Sequence, residues 1–549
     1  MTTTDTSTEE LYTAVSGLLE EGKTEQVLKV FKTVVGALVA ENRQLGAKLR
    51  EALRKIYGRS AEKVDPNQLR LLLDDMHAEQ KAELDEARKS DEPAVEDMPP
   101  PKRRRPRKER RRGFPKDLPR QEIRLTPTAQ QLEGKGKVRK IDEETSEVLE
   151  YVPAKFKVLV YVREKWATET DEIVTAPAGT KVIEKGIAGP GLLTYMTVAK
   201  YRDHIPLGRM SGMLKRLGVA VSKNTMVDWV AYVAFLLEML AELILERALL
   251  AYVLQVDDTH LRVLDPLHRK NVKRGHFWCL VGDCRYVAFR YTEDWTAKKA
   301  AKILGRRIGW MQIDGYGGYE PIIEASDSKI MPVGCWMHAR RTFVKALDAG
   351  EVAAAVPLST IREMYAVEDA SKQAEESHAE RYERRQRDLV PLLDTLETWL
   401  EDNDGAYEPG SKLYDAITYA NNHWDILRVV EKDGALELDN GGVERRLRHP
   451  AIGRKNWQHA GSDEGAHRAA IIMTVLETAA THGLNVEAYL YDVLVRLASG
   501  HPKSRLEELL PENWEPVYAF GELPETKTAA ASEAAQAPPE LEPGPSAPA

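Results

Sequence analysis

The chain has 549 residues, 30% of them charged, and a formal net charge of −8; it is long enough for three or more domains, and only a local cluster of cations would mark it as a nucleic-acid binder. Its three cysteines, Cys279, Cys284 and Cys335, form no CxxC pair, which excludes a disulfide scaffold and a thiolate zinc site and points to a reducing cytoplasm. The start, Met1 to Ser7, has no basic segment followed by an apolar core, so no signal peptide is expected.

Residues 1–76 read as N-terminal helices with a coiled coil. Its heptad a and d positions are Leu28, Phe31, Val35, Leu38, Asn42, Leu45, Leu49, Ala52 and Ile56. A buried Asn42 fixes register and favours a parallel dimer; a helix packed on its own domain is the alternative. Residues 77–120 form a charged linker in which Lys102, Arg103, Arg104, Arg105 and Arg107 belong to a run of nine basic residues among eleven, Lys102 to Arg112. Such density suits salt-sensitive phosphate contact, with a solvated linker as the bland reading. Residues 121–185 read as a small β-rich module with a strand at Phe156 to Val162.

Residues 186–250 show a helix, a turn at Gly218 and a second helix N-capped by Ser222 and opened by Lys223, Asn224 and Thr225. This helix-turn-helix either reads a major groove or only packs a helical core. Trp229 to Val256 is the most apolar stretch, yet Glu238, Glu242 and Glu246 place one charged stripe on it, so no transmembrane segment is expected.

Residues 251–344 carry apolar runs at Tyr252 to Val256, His276 to Val281, Arg285 to Tyr291, Ile308 to Ile313 and Ile330 to Gly334, with a helical pattern at Trp295 to Leu304. That order predicts a ribonuclease-H-like α/β core within a multidomain chain. Residues 345–435 read as a helical insertion, most continuous from Ala374 to Leu400. Residues 436–500 return to the core, and 501–549 form a tail, disordered from about 527.

Asp257 and Asp314 close two of the apolar runs, and Glu444 lies far downstream. Carboxylates fixed at strand ends suit a divalent ion with oxygen ligands; a surface or helix-capping role is the ordinary alternative for any one of them. Two such ions activate a water or a DNA 3′-hydroxyl and stabilise the leaving oxygen, so no nucleophilic side chain is required.

The surrounding segments are long and specific: Gln255-Val-Asp-Asp-Thr259 with Val263-Leu-Asp-Pro266, Gln312-Ile-Asp-Gly-Tyr-Gly-Gly-Tyr319, Gly334-Cys-Trp-Met-His-Ala-Arg-Arg-Thr-Phe343, Asp439-Asn-Gly-Gly-Val-Glu-Arg-Arg-Leu-Arg448, Ile452-Gly-Arg-Lys-Asn-Trp457 and Gly461-Ser-Asp463. On these, from about Gln44 to Ala498, the chain resembles the insertion-sequence-66 type of bacterial DDE transposase, its large subunit. The resemblance implies that Asp257, Asp314 and Glu444 are the DDE triad, that they hold two Mg²⁺ (or Mn²⁺) ions, and that transposon ends are cut and their 3′-hydroxyls joined to target DNA. It implies phosphate contacts from His338, Arg340, Arg341, Arg445, Arg454 and Lys455. The implied partners are double-stranded DNA, further copies in a homodimer or larger synaptic complex, and small accessory proteins of the same element, with no membrane and a cytoplasmic, nucleoid-associated location.

Two departures stand out. Asp258 replaces the family's usual Glu, leaving a shorter neighbouring carboxylate as a fallback ligand. Leu125 to Pro177 has no cysteine, and Trp166 to Asp171 stands where a CxxC is usual, so no structural zinc is expected. A catalytically inactive DNA-binding regulator and a metal-dependent nuclease without joining activity share the same features.

Overall fold

The computed structural model describes residues 156–163, 165–167, 173–175 and 179–524, apart from 306, 316, 327 and 328, together with Leu53. Nearly all of them belong to one compact unit, residues 1–72 with 160–549. The heptad from Leu28 to Leu49, the basic residues from Lys102 to Arg107 and the tail beyond 524 lie outside the described residues.

Strands β1 (Lys165–Ala167) and β2 (Ile173–Thr175) form an antiparallel hairpin. Phe156 to Val162, expected as a strand, is exposed and without strand pairing among the described residues. Apolar residues alone do not make a strand; its backbone groups need a paired edge.

Three helices follow, α1 (Pro190–Tyr201), α2 (Leu207–Arg216) and α3 (Lys223–Leu250). The Ser222 side chain accepts from the Thr225 N–H at 3.1 Å, the N-cap its sequence predicts. Along α3, Met226, Val230, Val233, Leu237, Leu240 and Ile244 bury one stripe, while Glu242 pairs with Arg290 at 2.7 Å. Among the described residues no helix is long and apolar enough to cross a membrane.

The central sheet contains β3 (Val253–Leu264), β4 (Val272–Gly282), β5 (Tyr286–Thr292), β6 (Gly309–Gln312) and β7 (Ile330–Val333) in the order β5-β4-β3-β6-β7. The first three pair antiparallel; β3, β6 and β7 pair in parallel. Between them lie α4 (Ala297–Leu304) and α5 (Glu320–Glu324). All five expected strands are present, in an α/β architecture with a mixed sheet.

After α6 (Trp336–Asp348) the insertion contributes α7 (Ala355–Gln373), α8 (His378–Arg384), a π-helical turn at Arg385–Leu389, α9 (Val390–Asp402), α10 (Lys412–Asn422) and α11 (Trp424–Leu427). The helix expected from Ala374 to Leu400 is broken near its start. Glu375 takes φ +52°, and Ser377 with Glu380 forms a capping box that begins α8; the local cap outweighs the helical composition.

The chain closes with α12 (Gly441–Trp457), α13 (Asp463–Thr481) and α14 (Val486–Ala498). One core joins α1 to α3, one sheet face (Leu261, Phe277, Phe289) and α12 to α14; a second fills the insertion and α6, and a third lies on the opposite sheet face under α4 and α5. Strand β5 is an edge whose N–H groups need acceptors. Helix α13 supplies them, Thr474 Oγ1 accepting from Phe289 N at 2.8 Å and Thr478 Oγ1 from Val287 N at 3.1 Å.

Candidate active site

Parallel pairing of β3 with β6 sets Gln255 opposite Gln312. Side chains two residues apart on a strand share a face, so the matching Gln255-x-Asp257 and Gln312-x-Asp314 segments aim two acids into one neighbourhood. Asp314 follows the last residue of β6 by two positions. Asp257 is not at a strand end, as the apolar run implied: β3 continues to Leu264 and Asp257 sits inside it, opposite Cys279 of β4. The apolar run stops at Val256 because the strand there leaves the shelter of β6, while its ladder with β4 goes on.

The third acid is placed by the segment that leads from the insertion into α12. Gln255 Nε2 donates to Gln312 Oε1 at 3.0 Å and to the Asp439 carbonyl at 3.1 Å. Gln312 Nε2 donates to the Glu437 carbonyl at 2.7 Å, and Asn440 Nδ2 to the Val256 carbonyl at 2.8 Å. These amides tie residues 437–440 to the two acid-bearing strands. Helix α12 then begins at Gly441 with Glu444 in its first turn. A Cβ at Gly442 would lie 2.0 Å from Gln255 Oε1, so a larger residue there would push the Gln255 amide out of its place between the strands.

The insertion grips the same segments. The Tyr365 hydroxyl donates to Asp439 Oδ2 at 2.7 Å, and Asp439 Oδ1 accepts from Gly441 N at 2.8 Å. The Tyr419 hydroxyl donates to the Asp314 carbonyl at 3.0 Å. Arg385, fully buried, pairs with Glu368 at 2.7 Å and donates to the carbonyls of Val430, Asp433 and Leu436 at 2.9, 2.8 and 2.6 Å.

Electrostatics show that the acids sense one another. The half-buried Asp257 carboxyl is pushed up to about 7, first by burial, then by the charge of Asp314, with smaller upward contributions from Asp258 and Glu444 that oppose the hydrogen bond from Asp258 N. Glu444 Oε1 stands 3.4 Å from Arg341 Nη2 and 3.9 Å from His338 Nε2. Among the described residues no three His, Cys, Asp or Glu side chains close on one point that would hold a metal ion; Glu444 is turned onto Arg341 instead.

The expected phosphate contacts divide. Arg341, Arg445 and Lys455 are exposed and Arg340 is half-buried. Burial first, then Arg341, lowers the pKa of His338 against the pull of Asp314, Glu444 and Asp439, which leaves a neutral imidazole at pH 7. Arg454 is already engaged, Nη1 donating to Thr259 Oγ1 at 2.8 Å. Asp258 is not placed as a fallback ligand: strand alternation turns it to the other face, where its Oδ2 meets His276 Nδ1 at 2.6 Å and that ring stacks on Trp295 at 5.5 Å. Ser222, Lys223 and Asn224 stand exposed at the start of α3 and Thr225 is half-buried. Gln255, Gln312, Asn440, Gly442 and Tyr365 were not singled out from the sequence; the repeated Gln-x-Asp spacing was the one signal for the first two.

Comparison with known proteins covers most of the chain. The model of the Transposase IS66 family matches residues 185–468 and that of the IS66 C-terminal element matches 474–511. The model described as Transposase C of IS166 homeodomain matches residues 44–123. The zinc-finger binding domain of transposase IS66 matches residues 133–167. That match corrects the expectation of no structural zinc: cysteine count was too narrow a criterion, because a domain is also recognised by the rest of its pattern.

Two proteins of Sinorhizobium fredii are similar over most of their length. The uncharacterized protein y4hP is 31% identical over 428 residues, covering 74% of this chain and 77% of its own. The uncharacterized protein y4qI is 34% identical over 391 residues, 68% of this chain and 72% of its own. With a family model spanning more than half of its residues and relatives aligned across 74% and 68% of it, the chain belongs to the IS66 transposase family.

Proposed function

We propose that this transposase cuts the ends of an insertion sequence and joins the freed 3′-hydroxyls to target DNA by phosphoryl transfer on a ribonuclease-H-like core, with Asp257, Asp314 and Glu444 as metal ligands. The observation that carries the reading is the register that sets Gln255 beside Gln312 and so Asp257 beside Asp314. Three antiparallel strands flanked by two parallel ones, β5-β4-β3-β6-β7, support the core assignment.

The donor set fits Mg²⁺, which takes hard oxygen ligands. Asp257 is burdened by neighbouring negative charge, and a divalent cation relieves that burden. When bound, two such ions supply an activated water or 3′-hydroxyl and charge neutralisation at the leaving oxygen. The chain's own part is positional. The Gln255–Gln312 bridge sets the spacing of the two aspartates, the Asn440 and Gly442 contacts set the approach of Glu444, and exposed Arg341 and Arg445 offer guanidinium forks to a phosphate. Were Glu444 to leave Arg341, it would be available to hold the ion, and Arg341 would be available to a DNA phosphate.

Asp314→Asn tests this. Removing a metal ligand but no phosphate contact is expected to abolish Mg²⁺-dependent nicking of end-sequence DNA while a gel-shift assay shows binding within about twofold of wild type. Nicking at the wild-type rate would remove Asp314 from the site.

A further inference from the structure

Beyond His260, where the pairing of β4 with β5 ends, β3 and β4 run on as a two-stranded hairpin, paired from Leu261–Gly275 to Leu264–Val272. Its inner face is anchored. Leu261 and Val263 are buried in the main core, Ala460 hydrogen-bonds to the backbone of Arg262 and Leu264 along one side, and Lys273 pairs with Asp463 at 2.6 Å. Its outer face is different. Arg262 and Arg274 are exposed, as are Arg269 and Lys270 near the tip, where Leu267 is 97% exposed. None of these four cations has an acidic partner among the described residues.

Arg262 stands directly opposite Arg274 in the antiparallel register, and His260 opposite His276. Like charges facing each other across strands cost stability. The repulsion registers nearby: the His260 pKa is pushed below its ordinary range by burial first, then by Arg454, Arg274, His276 and Arg262. A rigid face that keeps unpaired cations together is complementary to a polyanion. Arg262 follows Asp257 by five residues on one strand, about 17 Å at the usual rise per residue, and this odd step turns it to the face opposite Asp257.

We propose that the outer face of this hairpin, from His260 to Arg274, is a cationic ribbon that docks on the phosphate backbone of duplex DNA. The ribbon rests on the reading of the site as one that works on DNA, and extends it to a surface outside the acidic residues.

The test uses the full chain, a short labelled duplex of arbitrary sequence, and binding measured across a salt series. Arg262→Gln combined with Arg274→Gln is expected to make the slope of log K against log salt shallower by about 1.8, close to 0.9 for each lost phosphate contact, and to weaken binding by a similar factor on unrelated duplexes. Because the substitutions remove a like-charge pair, the variant is expected to melt no lower than wild type. Lys270→Gln, at the exposed tip, gives a smaller change of about 0.9 and serves if the double variant fails to fold. An unchanged slope in folded variants, with wild-type binding intact, overturns the ribbon alone. Absence of duplex binding by the wild-type protein overturns the DNA reading of the site and the ribbon with it.

Discussion

Asp257→Asn is expected to remove Mg²⁺-dependent strand cleavage, by at least about 10³-fold, and at the same time to make the metal-free protein more stable above pH 7. The two effects share a cause. The Asp257 pKa is held at about 7 against an ordinary 3.8, by burial and then by Asp314. Above the ordinary value an unfolded chain has released this proton while the folded chain still holds it, so stability falls as pH rises and the full penalty is present above about pH 7. At about 1.4 kcal/mol per unit the penalty reaches at most roughly 4 kcal/mol. An amide carries no charge and avoids it. Thermal melts in chelator at pH 8 are expected to place the variant above wild type, with the gap closing towards pH 4. A variant that melts lower than wild type at pH 8 would show that Asp257 is not under repulsion, and the basis for a cation site there would be lost. The arrangement is one in which folding stability is spent on a charged site.

Arg385→Met is expected to destabilise the fold by about 3–5 kcal/mol, the cost of breaking a buried ion pair from one side. Arg385 is fully buried and Glu368 is 3% exposed. The guanidinium also satisfies the carbonyls of Val430, Asp433 and Leu436, so its loss frees the segment that leads to Asp439, Asn440 and Glu444. Denaturant unfolding measures the first effect. Nicking measured well below the melting temperature measures the second, and is expected to fall more than the folded fraction does. Adding Glu368→Leu is expected to lower the stability further, since Glu368 also accepts from the buried Arg381 at 2.8 Å and its loss leaves that guanidinium facing an apolar side chain. Full activity in Arg385→Met would mean that the insertion does not position Glu444.

Local signals in the sequence were enough for the five strands and for the Ser222 cap, because apolar runs and caps act over a few residues. The acids were visible for the same reason: each stands at the end of an apolar run or in the first turn of a helix with a distinctive start. The continuation of β3 was harder to see. Its outer half alternates Leu261, Arg262, Val263, Leu264, with Leu261 and Val263 buried and the others exposed, a weaker signal than a continuous apolar run. The break at Glu375 was also encoded locally, in Ser377 and Glu380, but the charged helical composition around it masked the cap. The Gln255–Gln312 bridge and the close approach of Gly442 to Gln255 depend on a parallel register between strands more than fifty residues apart, which no local pattern specifies.

The most direct measurement is strand transfer in vitro with purified protein, Mg²⁺, labelled duplex carrying the element's end and a supercoiled target, with Glu444→Gln run beside wild type. Joined product from the wild type and none from Glu444→Gln is the expected result, since it requires both the joining reaction and the third acid. Joined product at equal yield from both proteins would contradict the triad, and cleavage by the wild type without any joining would contradict the transposition chemistry in favour of a nuclease.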